Sequence, residues 1–535
     1  MPKTLADVLT DQLAQLGVRR MFGVPGGGSS LDLIDAGARH GIEFILSQTE
    51  TAGAIMAAVT GELTGTPGVV LTGVGPGAAS VVNGTAYASL EKSPLVVFTD
   101  QVEGTNAGGI HQKYDQQALF APLVRSGAAL DSETGPGVFA GLLIDATTPP
   151  FGPVHVDLSA AQASKPAHLP TVKIGEGTTG DFSVIPSVAK DQIKASRKPV
   201  LLVGLEARAE RVAIAVHSTA QHLRCPVLTT YKAKGVVPDA DPAVMGHVTG
   251  GTAEAAVLHA ADLILAVGLD PIELINQPWP YQARVIDISE VAHEAGPFQP
   301  AAQLVGDPAR ILPALLEEEE QSGWQASELA ALKSAQQARL MPPDMDWDRQ
   351  PNDPRPLIHA IQQAAPGATL TVDSGAHMFP AMALWQADRP FSVLKSNGLS
   401  TMGFAVPAGI AAALHDPGRP VVAITGDGGL SMCLTELATA ARLGVTVITV
   451  VLNDAALSLI DIKQQAQQRP PLGVRYPTID YAAAAEALGV KGCRVEGNDA
   501  VTAAVGDAMA RGGPSLIDVK VDPYAYPEIL SALRK

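Results

Sequence analysis

The stretch VVAITGDGGLSMCLTELATAARLGVTVITVVLND, Val421 to Asp454, decides the fold. Val421 to Thr425 is a run rich in β-branched residues that reads as a strand and stops at Gly426-Asp427-Gly428-Gly429. An amphipathic stretch from Met432 to Leu443 predicts a helix, and Val445 to Leu452 predicts a second strand, closed by Asn453-Asp454. Two parallel strands joined by one crossover helix present their carboxyl ends on the same edge, so Asp427 and Asp454 approach each other there. Glycines at 426, 428 and 429 let backbone N–H groups come close to an anion at the start of the helix, while side-chain oxygens hold a hard divalent cation against it. The pattern suits a diphosphate with Mg²⁺. A Gly-Asp-Gly turn on its own would be a plain loop; the βαβ setting and the closing Asn-Asp distinguish this one.

Working outward, the same alternation extends along the chain. From 1 to about 165 a helix over Thr4 to Leu16 is followed by MFGVPGG, a helix from Ser30 to Arg39, FILS, a helix over Glu50 to Thr64, GVVLTGVGPG, PLVVFTD and GPVHVDL. This order predicts a doubly wound α/β domain. Proline, glycine and threonine between Lys165 and Asp181 read as a linker. A second block, 184–340, carries PVLLVGL, PVLTT, LILAVGL and RVIDI but no Gly-Asp-Gly. The proline-rich MPPDMDWDRQPNDPRP marks the next boundary, and a third block, 350–535, contains ATLTVDSGAH, the opening stretch and SLIDVKVDP. The fold class is therefore α/β, with three doubly wound parallel-sheet domains. The first and third blocks share a similar order of elements.

Composition narrows the class. A chain of 535 residues is too long for one core, and three units of about 170 residues are the natural division. A net charge of −17 without long acidic runs argues against nucleic acid and against anionic membrane surfaces. Cys225, Cys433 and Cys493 lie in apolar neighbourhoods with no metal-binding spacing, and are expected to be buried free thiols in a reducing cytoplasm. The N-terminus lacks the long apolar core of a signal peptide, and no apolar span is long enough for a membrane.

Twenty-four residues separate Gly428 from Asn453, and with that interval the stretch resembles the thiamine diphosphate (ThDP) enzymes, whose signature is Gly-Asp-Gly, roughly two dozen residues, then Asn. The resemblance implies a pyrimidine-binding domain at 1–165, a central domain at 184–340 and a diphosphate-binding domain at 350–535. It implies Mg²⁺ ligands at Asp427, Asp454 and the carbonyl of Ala456. Asn is usual where Asp454 stands, so this site carries an extra negative charge. ThDP chemistry needs a carboxylate beside the aminopyrimidine; Glu50, in FILSQTETAGAIMAA, resembles it. As a residue alone, without the distant Gly-Asp-Gly, Glu50 reads as an ordinary first-turn glutamate favoured by the helix dipole. Thr49 stands where His is frequent, and Thr60-Gly61-Glu62 replaces a usual Tyr-Ala-Arg.

Further matches cover nearly the whole chain. Thr72 to Gly77 looks like the Gly-Pro-Gly turn near the pyrimidine, with Gly75 as a contact and Ser80 in place of a common Asn. Ser400-Thr401-Met402 resembles the segment in which a bulky apolar residue, here Met402, props the cofactor, with backbone groups of Ser400 and Met402 as contacts; a lone methionine is otherwise core packing. Asp373 to His377 resembles the loop that joins the diphosphate site, through Ser374, Gly375 and His377, and His377 reads equally as a solvated loop residue. With Gly426, Gly428 and Gly429 these complete the expected cofactor contacts.

The substrate pocket separates the branches of the family. Gly27 and Gly28 follow Pro25-Gly26, a Gly-Gly opening similar to acetolactate synthases. Residues 110–122, IHQKYDQQALFAP, are similar to their His-Gln segment, with Gln112 facing the reacting carbon and His111 beside it. Arg125 keeps a positive charge for a carboxylate. The resemblance implies decarboxylation of a 2-oxo acid and ligation to a second carbonyl compound, served by Glu50, Gly27, His111 and Gln112. It also implies a cytoplasmic homodimer at the least, with a homotetramer expected. The alternatives are a benzaldehyde lyase-like or decarboxylase activity on an aromatic 2-hydroxyketone or 2-oxo acid, a catalytically silent cofactor-binding paralogue and, more distantly, a nicotinamide dehydrogenase. Pro199 to Glu210 shows no dinucleotide fingerprint, which argues against FAD.

Overall fold

Short apolar runs spaced by helical intervals cannot close as hairpins, because parallel strands need a crossover of a dozen or more residues. In a computed structural model describing residues 3–103, 111–168, 186–248, 254–274, 278–293, 296–316 and 322–534, these runs form three six-stranded sheets. Pairing between the strands is parallel in all three. Ile110 and residues 169–181 of the expected linker lie outside the described residues.

The first sheet contains β1 (Arg20–Val24), β2 (Glu43–Leu46), β3 (Gly68–Thr72), β4 (Leu95–Asp100), β5 (Ser126–Ala129) and β6 (Pro153–Leu158), in the order β2-β1-β3-β4-β6-β5. The second contains β7 (Pro199–Val203), β8 (Val227–Thr229), β9 (Val244–His247), β10 (Leu263–Val267), β11 (Arg284–Ser289) and β12 (Ala302–Val305). Its order, β9-β8-β7-β10-β11-β12, is that of dinucleotide-binding sheets. The third contains β13 (Thr369–Val372), β14 (Val393–Lys395), β15 (Val421–Gly426), β16 (Val447–Asn453), β17 (Lys491–Val495) and β18 (Ser515–Lys520), ordered β14-β13-β15-β16-β18-β17. The first and third sheets thus have the same topology.

Six helices position the site: α1 (Ser29–Arg39), α2 (Glu50–Thr64), α3 (Val82–Leu90), α4 (Ala405–His415), α5 (Asp427–Cys433) and α6 (Glu436–Leu443). The helix expected from Met432 begins earlier, at Asp427 itself, and is divided into α5 and α6. Leu434 and Thr435 between them keep right-handed helical dihedrals, so the two run nearly end to end.

The N-terminal and C-terminal units share one apolar core. Ile55, Ala58 and Val59 of α2 and Tyr87 of α3 belong to the same buried cluster as Phe404 and as Val406 and Ile410 of α4. Alanines and glycines permit this close packing: a Cβ on Gly84 would lie 2.3 Å from the Ala54 Cβ. The central unit has its own core and meets the others through buried charge. Glu62 of α2 pairs with Arg208 and Lys232, each at 2.8 Å, and Lys232 reaches Glu91 at 3.3 Å.

Cys225 and Cys433 are buried free thiols, but Cys493 is only half-buried, because β17 is an edge strand. No helix among the described residues is long and apolar enough to cross a membrane.

Candidate active site

In an open parallel sheet, ligands bind beyond the carboxyl ends of the strands where the strand order reverses. In the first sheet that point lies between β1 and β3. Pro25 to Gly28 leave β1 and Gly73 to Gly75 leave β3, and a cavity of about 490 Å³ opens between them, lined by Gly27, Glu50, Gly77, Asp100 and Gln112 among others. Glu50 is the first residue of α2, whose N-cap Thr49 accepts a hydrogen bond from the Ala52 N–H at 3.2 Å. A Cβ on Gly77 would sit 3.5 Å from Glu50 Oε1. Gly75 has φ +66°, and a Cβ there would meet the Gln112 carbonyl at 2.5 Å; only glycine fits.

Gly75 is held at both ends. Its N–H donates to Gln116 Oε1 at 3.0 Å, and its carbonyl accepts from the Tyr114 hydroxyl at 3.0 Å. Gln112 reaches the cavity lining from an αL conformation, φ +62°. His111 occupies an exposed turn and is not among the lining residues. Arg125 is not brought to the cavity: its side-chain methylenes pack beside Gly152, where the chain enters β6.

Asp100, at the end of β4, is a lining residue that the sequence reading left unassigned. It is buried, and its carboxylate accepts from the Gly28 N–H (3.1 Å), the Ser29 hydroxyl (2.8 Å), and the Ser30 N–H and hydroxyl (both 2.8 Å). Gly28, the N-cap of α1, supplies no side-chain cap, so Asp100 caps this helix from a neighbouring strand. Asp100→Ala strands several buried donors, and is expected to lower stability by about 1–3 kcal/mol in urea denaturation.

The third sheet repeats the arrangement at β13 and β15. β13 delivers Asp373-Ser374-Gly375 and β15 delivers Gly426-Asp427. Asp373 is fully buried and accepts from the Gly403 and Phe404 N–H groups and the Thr425 hydroxyl, each at 2.9 Å. Burial nevertheless pushes its pKa up to about 6. These bonds fix the loop carrying Ser400 and Met402. Ser400 is exposed with φ +54°. Met402 is not simply core: a Cβ on Gly428 would lie 3.4 Å from its Cε and 3.2 Å from the Tyr476 hydroxyl. A Cβ on Gly426 would lie 2.9 Å from His377 Nδ1. A Cβ on Gly429 would strike Asp373 Oδ2 at 2.1 Å.

His377 is buried rather than solvated, and burial lowers its pKa to about 4, leaving a neutral imidazole. Four polar atoms around this turn are buried without a hydrogen-bond partner: Ser374 Oγ, His377 Nε2, Asp427 Oδ2 and the Tyr476 hydroxyl. Asp427 Oδ1 accepts from the Gly428 N–H at 2.8 Å. Burial first, and then the charge of nearby Asp427, raise the Tyr476 pKa, but its hydroxyl lacks the geometry of a formed bond. Burial raises the Asp427 pKa. Asp454 is pushed up to about 7, first by burial and then by the charge of Asp427, which brings the two carboxylates into one electrostatic neighbourhood. Asp454 accepts from the Ser458 hydroxyl and from the Ala456 N–H. Residues 455–457 are held by a strand-like segment, with Tyr476 N–H donating to the Ala455 carbonyl at 3.1 Å and Leu457 N–H to the Val474 carbonyl at 2.8 Å.

Asp100 and Asp373 share one detectable signal, a polar side chain at or just beyond a strand end on the ligand edge; Gln116 instead opens a short helix, Gln116–Phe120, and carries no such signal. Tyr476 lies in a loop whose course periodicity does not encode.

Comparison with known proteins agrees with this geometry. Residues 3–119 match the model of the thiamine pyrophosphate enzyme N-terminal TPP binding domain, 187–315 the central domain, and 373–519 the C-terminal TPP binding domain. The chain is 30% identical to the catabolic acetolactate synthase of Raoultella terrigena, over 99% of this chain and 97% of that one. It is 28% identical to the acetolactate synthase of Bacillus subtilis, over 97% and 93%. It is also 28% identical to a probable acetolactate synthase large subunit of Methanocaldococcus jannaschii, over 97% and 92%. Two TPP-binding domain matches fall on the two sheets whose reversal points carry the cavity and the glycine turn, and the chain therefore belongs to the thiamine diphosphate-dependent, acetolactate synthase-like enzyme family.

Proposed function

We propose that this chain is a ThDP- and Mg²⁺-dependent carboligase of the acetolactate synthase type, which decarboxylates a 2-oxo acid and joins the remaining fragment to a second carbonyl compound. The observation that carries the reading is the set of unpartnered buried polar atoms on Ser374, His377, Asp427 and Tyr476. Buried polar groups are normally satisfied, so such a set fits a missing polar ligand. The donors suit diphosphate oxygens and Asp427 Oδ2 suits a cation. Among the described residues no three His, Cys, Asp or Glu side chains cluster as a metal site. The proposed set, Asp427, Asp454 and the Ala456 carbonyl, has only two carboxylates, and Mg²⁺ is commonly held by one or two carboxylates plus phosphate oxygens and water.

Bound ThDP supplies the electron sink for cleavage beside a carbonyl. This chain's residues do the rest. Gly426, Gly428 and Gly429 bring backbone close to the diphosphate together with Ser374, Gly375 and His377. Backbone groups of Ser400 and Met402, with Gly75, meet the pyrimidine, and the Met402 side chain props the cofactor. Glu50 moves the proton at the pyrimidine. Gly27 and Gln112 face the substrate, and His111 flanks Gln112 from its exposed turn. Among the described residues, the cavity beside Glu50 is lined by residues between 24 and 112, none of them from the unit that carries Asp427; this supports completion of the site by a second copy. In the central unit, Glu273 accepts from the Leu205 N–H at 2.8 Å and from the Thr230 hydroxyl. A protein carboxylate thus takes the turn where a dinucleotide phosphate would bind, which supports a FAD-free enzyme.

The test is product analysis with pyruvate, ThDP and Mg²⁺. Acetolactate is the expected product; aldehyde alone would move the assignment to a decarboxylase, and no turnover on any 2-oxo acid or hydroxyketone would reject it. One observation favours a lyase on bulky hydroxyketones as the second reading: a Cβ on Gly27 would meet nothing within 4 Å, leaving room for a large group. Chelation followed by gel filtration is expected to remove activity, with Mg²⁺ restoring it.

A further inference from the structure

Glu436, the first residue of α6, is fully buried and belongs to the C-terminal unit. Its carboxylate nevertheless reaches the N-terminal unit. Oε1 accepts from the N–H groups of Gln48 and Thr49, both at 3.0 Å, and from the Thr49 hydroxyl at 3.3 Å. Oε2 accepts from the Gln48 N–H at 3.2 Å and from the Thr439 hydroxyl at 2.8 Å. At the far end of the same helix Arg442 donates to the Leu46 carbonyl. One helix therefore grips both ends of the turn from β2 into α2, the turn that presents Glu50. α6 also continues, almost without a break, from α5, whose first residue is Asp427.

From this geometry we infer that Glu436 is a positioning residue for Glu50, and that its reach across the domain boundary sets the carboxylate of Glu50 in the cavity. The inference rests on the proposed role of Glu50. A carboxylate accepting the free N–H groups just before a helix fixes where its first turn begins. A displacement of about 1 Å at a proton-transferring group is enough to cost about 10²-fold. Charge alone does not achieve this: the side-chain amide in a Glu436→Gln variant still offers an acceptor to Gln48 and Thr49, whereas Glu436→Asp keeps the charge and withdraws the acceptor by one methylene.

Two measurements test it. In the cofactor-free protein, hydrogen exchange of the peptide covering residues 46–53 is expected to speed up about tenfold in Glu436→Asp and Glu436→Ala, and to stay near wild type in Glu436→Gln and Glu50→Gln. In the ThDP-loaded protein, deuterium exchange at the cofactor C2 is expected to slow about 10–100-fold in Glu436→Asp, with Glu436→Gln within a few-fold of wild type and cofactor affinity little changed. If Glu50→Gln slows C2 exchange but Glu436→Asp does not, the positioning role is wrong and the role of Glu50 stands. If Glu50→Gln leaves C2 exchange unchanged, the role of Glu50 itself is rejected. Should Glu436→Ala fail to fold, the Asp and Gln variants decide alone: equal behaviour of the two overturns the inference.

Discussion

Glu50→Gln is expected to reduce turnover of a 2-oxo acid by about 10²–10⁴-fold, the usual contribution of a positioned proton-transfer group. The side chain keeps its size, and its neighbour Gly77 sees no change in volume. ThDP affinity is expected to stay within about tenfold, because the diphosphate contacts proposed at Ser374, His377 and Asp427 lie in the other unit. Stopped-flow or steady-state rates with calorimetric cofactor binding measure both quantities. A wild type no faster than this variant on every 2-oxo acid tested would mean that the chain binds its cofactor without using it. That outcome is the catalytically silent paralogue, and it is the one for which Thr49 and Asp454, both departures from the family pattern, leave room.

The features legible in the sequence are those carried by local chemistry. A β-branched run followed by Gly-Asp-Gly placed β15, the turn and Asp427, since period and turn residues are local properties. The Glu50 helix was readable to its last residue, Thr64, because Gly65 adopts the αL conformation that ends it. Short edge strands such as β5, β14 and β17 were not readable; SGAA and VLK carry too few residues for a period. Nor was α5 at its true start, because glycines 428 and 429 read as loop while the anchoring contacts of Asp373 and Tyr481 come from other elements. Partnerships across several hundred residues, Glu436 with Thr49 above all, have no local signature. The burial of His377 belongs to the same class, since the ring is enclosed by Gly375 and Gly426 from separate strands.

Glu62 was legible only as an oddity, an acid in a place where the family usually has Arg, and its surroundings explain it. Buried beside Arg208 and Lys232, it also accepts from the hydroxyls of Tyr87 and Ser93. Burial by itself would raise its pKa, but the two cations outweigh burial and hold it at about 2, below the ordinary 4.5. A carboxyl depressed on folding contributes stability above its unfolded pKa and loses it as pH falls through the folded one. This contribution is therefore complete above pH 4.5 and fades toward pH 2. Glu62→Ala leaves Arg208 with a buried uncompensated charge, Lys232 retaining Glu91, and is expected to cost about 3–5 kcal/mol. Glu62→Met combined with Arg208→Met removes both members while keeping the Lys232–Glu91 pair. Replacing a buried pair by apolar groups of similar size is often neutral, so the double variant is expected to recover most of the loss in urea midpoints at pH 7. Its acid unfolding between pH 4.5 and 2 should also be less steep than that of wild type. Equal midpoints for wild type and Glu62→Ala would show that the pairing of Glu62 with Arg208 and Lys232 adds no net stability.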